Sequence, residues 1–140
     1  MKINILSLGK FKINQQYREI FVYYRKRINL KTNLIEIKTP KTEKKKELEK
    51  IKILKYIKDG DHVFALDKDG EDLSSKELSE VLKSKINCGC KRLSFVIGSE
   101  EGLDDFFRNS FTSLSFGKQT WPHLLVRVML IEQIYRALEI

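Results

Sequence analysis

His62-Val63-Phe64-Ala65-Leu66-Asp67 is a short apolar run bounded by Gly60 and Gly70. Such a run suits a strand buried on both faces, which belongs in a parallel sheet covered by helices. The flanking segments agree. Upstream, Thr42 to Ile57 carries Leu48, Ile51, Leu54 and Ile57 against many lysines and reads as a basic helix. Before it, Asn33 to Ile37 alternates as a strand up to Pro40, and Asn14 to Ile28 sets Tyr17, Ile20, Phe21, Tyr24 and Ile28 on one helical face. Lys2 to Leu8 alternates again and stops at Gly9, as a first strand does. Downstream, Ser74 and Glu77 form a capping box ahead of Leu78, Val81, Leu82 and Ile86. Leu93 to Gly98 is a further buried strand, and Leu103, Phe106 and Phe107 predict a helix behind it. Leu114 to Phe116 reads as a short last strand. Pro122, at a helix N1 position, then opens a final helix that runs to the C-terminus. Strands alternating with helices predict one α/β domain over residues 1–140, with a mainly parallel sheet flanked by helices.

The bulk properties narrow the function. A chain of 140 residues, 41% hydrophobic and 33% charged, has the size and composition of one globular domain. No apolar run approaches the roughly 18 to 20 residues of a membrane span, and the N-terminus lacks a signal-peptide pattern, so a cytoplasmic location is expected. Cys88-Gly89-Cys90 has neither disulfide spacing nor the second ligand pair of a zinc site, so no metal is expected. A formal charge of +8 favours a polyanionic partner through counterion release, and RNA fits that description. The densest charge, Lys44, Lys45, Lys46, Lys50 and Lys52, lies on the second predicted helix.

Ligands of open α/β sheets collect at the carboxyl ends of the strands. Three such ends are rich in glycine and polar residues: Leu66 to Gly70, Ile97 to Gly102, and Leu114 to His123. The middle one is neither a G-x-G-x-x-G fingerprint nor a P-loop, which removes the dinucleotide and nucleotide-phosphate motifs. A nucleophile elbow is also missing, so a small-molecule α/β enzyme of another kind has little support.

Taken in order, Leu66-Asp67, Val96-Ile97-Gly98 with Glu101-Gly102-Leu103, Leu114-Ser115-Phe116 with Thr120 and Pro122-His123, then Arg127-Val128 and Glu132-Gln133-Ile134-Tyr135-Arg136-Ala137 resemble a known family. It is the 23S rRNA (pseudouridine-N(3))-methyltransferase family of the SPOUT superfamily. The resemblance spans the chain and is most distinctive from Pro122-His123 to Arg136-Ala137. It implies a deep C-terminal trefoil knot, a homodimer, and methyl transfer from S-adenosylmethionine to N(3) of a pseudouridine in 23S rRNA of the ribosome. It also implies a cofactor site at Leu66, Gly98, Phe116, Gly117, Lys118, Gln119, Thr120 and Trp121, with Arg136, His123 and Arg127 as the catalytic candidates. Ser99 replaces the family's usual second glycine, and Gly117 stands where a serine usually precedes the basic residue. The family pattern continues past the position of Ile140 into a Tyr-His-basic tail. A shorter chain leaves a second expectation open: an rRNA-binding SPOUT protein impaired in methyl transfer.

The final helix is nearly apolar all round, which predicts burial on most faces and packing against a twin subunit. At 100° per residue Glu132 and Arg136 share one side with Leu125 and Met129, in the spacing of an i, i+4 ion pair. Arg127 falls on the opposite side among Ile131, Ile134 and Leu138, where a guanidinium needs a carboxylate, phosphate or carbonyl partner. His123 opens the helix, where the helix dipole disfavours a charged imidazole. His62 reads as a strand-start residue.

Overall fold

In chain order the elements are β1 (Lys2–Leu8), α1 (Gln15–Arg25), β2 (Lys31–Ile37), α2 (Lys45–Leu54), β3 (His62–Glu71), α3 (Ser75–Asn87), β4 (Arg92–Ile97), α4 (Asp105–Ser110), β5 (Thr112–Leu114) and α5 (His123–Glu139). The computed structural model describes residues 1–11 and 14–140. Among the described residues five strands pair in the order β2-β1-β4-β3-β5, and every pairing is parallel.

The parallel sheet separates two apolar layers, as the double-sided burial of its strands requires. On one face Ile3, Ile5, Phe64, Leu93 and Phe95 meet Phe21 of α1, Leu78 and Leu82 of α3, and Leu130, Ile131 and Ile134 of α5. On the other, Leu6, Leu8, Val63, Ala65 and Val96 meet Ile53 of α2 and Phe107 of α4. Phe64 and Phe95, side by side in adjacent strands, stack at 5.3 Å between ring centroids. The alternating α/β reading of the sequence therefore holds for the sheet and its flanking helices.

Local signals act as their chemistry dictates. Asn14 caps α1 by accepting the Tyr17 N–H, and Ser74 and Glu77 exchange both bonds of the capping box at the start of α3. Three expectations need correction. The third strand does not end before Gly70 but runs through it to Glu71, with a register shift against β5 between Leu66 and Glu71. A Cβ at Gly70 would lie 2.6 Å from the Ser113 carbonyl carbon, so the absent side chain is what lets β5 approach. The last strand lies at Thr112–Leu114 rather than Leu114 to Phe116. It stops there because Ser115 turns its hydroxyl back, donating to the Lys68 carbonyl and accepting the Gly117 N–H. Finally, Pro122 is the extended N-cap residue of α5, at ψ 132°, and not its first helical residue.

Candidate functional site

The loops following β3, β4 and β5 and the first turn of α5 enclose a cleft of about 330 Å³ at the carboxyl edge of the sheet. Its floor is apolar: Leu66, Ile97, Leu114 and Val126 come directly from the strands and α5, with Phe116 and Trp121 on the loop between them. Of the eight residues expected to hold a cofactor, Leu66, Gly98, Phe116, Gly117, Gln119, Thr120 and Trp121 line this cleft. Lys118, exposed on the same loop, does not.

Each wall is shaped by a specific local cause. The wall after β5 is fixed by Ser115, whose buried hydroxyl ties β3 to the loop, and by the Trp121 indole N–H, which donates to the Phe116 carbonyl at 3.2 Å. The wall after β4 is a tight turn in which the Gly102 N–H donates to the Ser99 carbonyl at 2.9 Å. Gly98 makes that turn possible, since a Cβ there would sit 2.9 Å from the Gly102 carbonyl carbon and 3.0 Å from Leu103. The missing side chain accommodates the protein's own backbone.

The rim is charged. Arg108 of α4 donates to Asp67 at 2.9 Å across the mouth. Burial pushes the Asp67 carboxyl up, but the Asp69 N–H and Arg108 overcome it and hold the group below the usual carboxylate range. Lys46 of α2 also lines the cleft, and the neighbouring Lys45 pairs with Glu101 at 3.5 Å, so the basic helix abuts the site.

The three catalytic candidates separate in space. His123 lines the cleft, with its Nδ1 closed off from solvent and without a hydrogen-bond partner among the described residues. Burial first, and the Arg127 guanidinium second, push its pKa down, while Glu100 pulls the other way. Arg127, one turn further on, is wholly buried. Its Nη2 donates to the Leu8 and Gly9 carbonyls at 2.8 Å each, its Nη1 donates to Glu36 at 2.9 Å, and its guanidinium lies 4.7 Å from the centroid of the Phe11 ring. Both terminal nitrogens are thus engaged inside the fold, and Arg127 reaches the site only by positioning its surroundings. Arg136 is exposed and paired with Glu132 through Nε at 2.8 Å, in the i, i+4 geometry its spacing predicts. It lies 13 residues along α5 from His123, which is about 20 Å of helix, and does not line the cleft of its own chain.

Ser99 and Glu100 lie in the strand end Ile97 to Gly102 that the sequence marked for a ligand, whereas Glu36 carries a part of the site that its sequence pattern did not reveal. Ser99 lines the cleft, with its Oγ buried and without a hydrogen-bond partner among the described residues. Glu36 lies within the alternating strand Asn33 to Ile37 and accepts hydrogen bonds from both Arg127 and the Phe11 N–H.

The family described as "Predicted SPOUT methyltransferase" matches residues 1–140. The chain belongs to this family. Among individual SPOUT relatives, the protein named "Ribosomal RNA large subunit methyltransferase H" of Caldicellulosiruptor bescii is 40% identical over 147 residues, covering 99% of this chain and 94% of the relative. The protein of the same name from Clostridium botulinum (strain Kyoto / Type A2) is 40% identical over 152 residues, covering 100% of this chain and 95% of the relative. The three strand-end loops that build the cleft thus belong to a SPOUT methyltransferase chain.

Proposed function

We propose that this chain methylates ribosomal RNA of the large subunit, transferring a methyl group from S-adenosylmethionine to N(3) of a pseudouridine in 23S rRNA. The observation that carries the reading is the cleft itself, in a chain of SPOUT kinship with relatives named as large-subunit rRNA methyltransferases. Its residues fit the cofactor. An adenine needs an apolar slot edged by main-chain groups, which Leu66, Ile97, Leu114 and Phe116 offer. The buried Ser99 hydroxyl has no hydrogen-bond partner among the described residues and is left for a polar ligand atom, and Glu100, the rim carboxylate that pairs with neither lysine nor arginine among the described residues, suits a cationic donor. When bound, S-adenosylmethionine supplies a methyl group on a positively charged sulfur, open to attack by a base nitrogen.

Most of the remaining work is positioning. The Ser115 and Trp121 bonds fix the wall that orients the cofactor, and Arg127 fixes the start of α5 against the end of β1. In this reading the segment from β5 into α5 forms the trefoil knot, and α5 pairs with its twin in a homodimer. Leu125 and Met129 remain partly exposed on the side that carries Glu132 and Arg136, which supports an uncovered helix face. A dimer also gives Arg136 a site to serve, in the partner's cleft. The test is calorimetric titration with S-adenosylmethionine joined to transfer of labelled methyl to whole ribosomes and to isolated 23S rRNA, since the two present different RNA shapes. Cofactor binding without transfer to either substrate would favour an rRNA-binding protein over an enzyme.

Two variants address the RNA side. Arg136→Ala is expected to leave cofactor affinity within about twofold while methyl transfer falls on the order of tenfold or more, the loss of one charge-assisted contact. Sedimentation should show the variant and the parent alike as a particle of twice the 16.5 kDa chain mass. Unimpaired transfer would remove Arg136 from the substrate. Exchanging Lys44, Lys45, Lys46, Lys50 and Lys52 for glutamate should weaken rRNA binding and flatten its dependence on salt, because α2 flanks the cleft. An unaltered salt slope would place the RNA surface elsewhere.

A further inference from the structure

His123 stands out as the one imidazole in the cleft, and its immediate surroundings are unusual. Its Nδ1 is shut off from solvent and has no hydrogen-bond partner among the described residues, an arrangement that buried polar atoms rarely keep without a purpose. The nearest carboxylate oxygen, Glu100 Oε1 on the loop after β4, is 3.8 Å away, roughly one ångström beyond a hydrogen bond. The Glu100 side chain is 83% exposed, so a rotation of its own side chain closes that gap. Catalytic hydrogen bonds are commonly long before substrate enters and tighten afterwards. On the other side of the ring, Nε2 faces Gly9 at the end of β1, within ordinary contact distance (3.6 Å) of where a Cβ on that residue would stand.

We infer that Glu100 and His123 form a proton-accepting pair, in which Glu100 holds the imidazole Nδ1–H and leaves Nε2 to take the proton of the nitrogen being methylated. The inference rests on the rRNA-methylation reading above. The base N–H bond breaks and its proton passes to Nε2. The nitrogen electron pair forms the new bond to the methyl carbon, and the carbon–sulfur pair stays on sulfur, turning the sulfonium donor into a neutral thioether. The imidazolium then returns its proton to water. His123 is the catalytic residue and Glu100 its positioning residue, which fixes the tautomer and steadies the transient cation.

The charged groups around the ring suit this task. Glu100 faces it from the loop after β4 and Arg127 from the next turn of α5, with Glu36 of β2 on the far side of Arg127. Burial, and after it the Arg127 guanidinium, hold the imidazole pKa below its ordinary value, which favours the proton-accepting form. Glu100 alone among these groups adds a charge that strengthens the base.

The chain has two histidines, His62 and His123, so long-range nitrogen NMR resolves the tautomer of each without any assay of activity. The native protein should show His123 as the Nδ1–H tautomer. Glu100→Gln retains an acceptor and should keep that tautomer, whereas Glu100→Ala should lose it. In methyl transfer, His123→Asn should lower kcat on the order of a hundredfold. Glu100→Gln should move the acid limb of the pH–rate profile down by roughly half a unit, because loss of the carboxylate lowers the pKa of the base. A merely structural role for Glu100 would leave that limb in place. An Nε2–H tautomer in the native protein, or an unmoved acid limb in Glu100→Gln, overturns the pair. If the native chain transfers no methyl group at all, the parent reading fails, and the tautomer alone still decides whether Glu100 holds His123.

Discussion

Arg127→Ala is expected to cost on the order of 3 kcal/mol or more, the penalty of removing a wholly buried guanidinium that serves two carbonyls and a carboxylate, with Glu36, 30% exposed, contributing least because water screens it. The substitution strands the Leu8 and Gly9 carbonyls, leaves Glu36 without its cation, and opens a void against Phe11. In a domain of this size the melting temperature should fall by roughly 10–20 °C. Arg127→Lys keeps the charge but not the fork that serves two carbonyls and a carboxylate together, so it should recover only part of the loss. Thermal and denaturant unfolding monitored by circular dichroism measure this directly. A melting temperature within about 2 °C of the parent's would show that the network contributes little to folding. The same substitution should also depress cofactor binding, since it frees the start of α5 and with it the wall that carries His123.

The second large effect is at Gly98. Gly98→Val should reduce affinity for S-adenosylmethionine on the order of a hundredfold or more, through an indirect route. The cofactor need not touch Gly98 at all. Any Cβ at this position pushes the Gly102 and Leu103 backbone outward, and that turn is one wall of the cleft. Gly98→Ala should therefore already be damaging, whereas simple blocking of the cofactor would make alanine mild and valine severe. Calorimetric titration of both variants, beside circular dichroism to confirm folding, separates the two cases. Affinity unchanged in Gly98→Ala would show that the turn yields at little cost.

SPOUT membership and the position of the cleft were legible in the order of short motifs along the chain. The capping box at Ser74 and Glu77, the doubly buried strand from His62 and the i, i+4 spacing of Glu132 and Arg136 were equally plain, because each depends on atoms within a few residues of one another. Backbone dihedrals and side-chain period determine such features, and the sequence alone carries both. The polar turn that ends β5 was harder to place, since the signal lies in what Ser115 bonds to on β3.

Arg127 marks the boundary between the two kinds of information. Its place among aliphatic neighbours on α5 determined that it needs a partner, but the partner, Glu36, is 91 residues away on β2, and the two carbonyls lie at the end of β1. No local pattern specifies a contact of that separation; it exists because β1 and β2 pair in parallel register and α5 packs over them. The distance from Arg136 to the cleft, the exposure of Lys118, and the approach of Glu100 to His123 were decided in the same way. The chain's own residues determined which elements form and which chemistry each can offer, while the strand order β2-β1-β4-β3-β5 decided which of those residues meet.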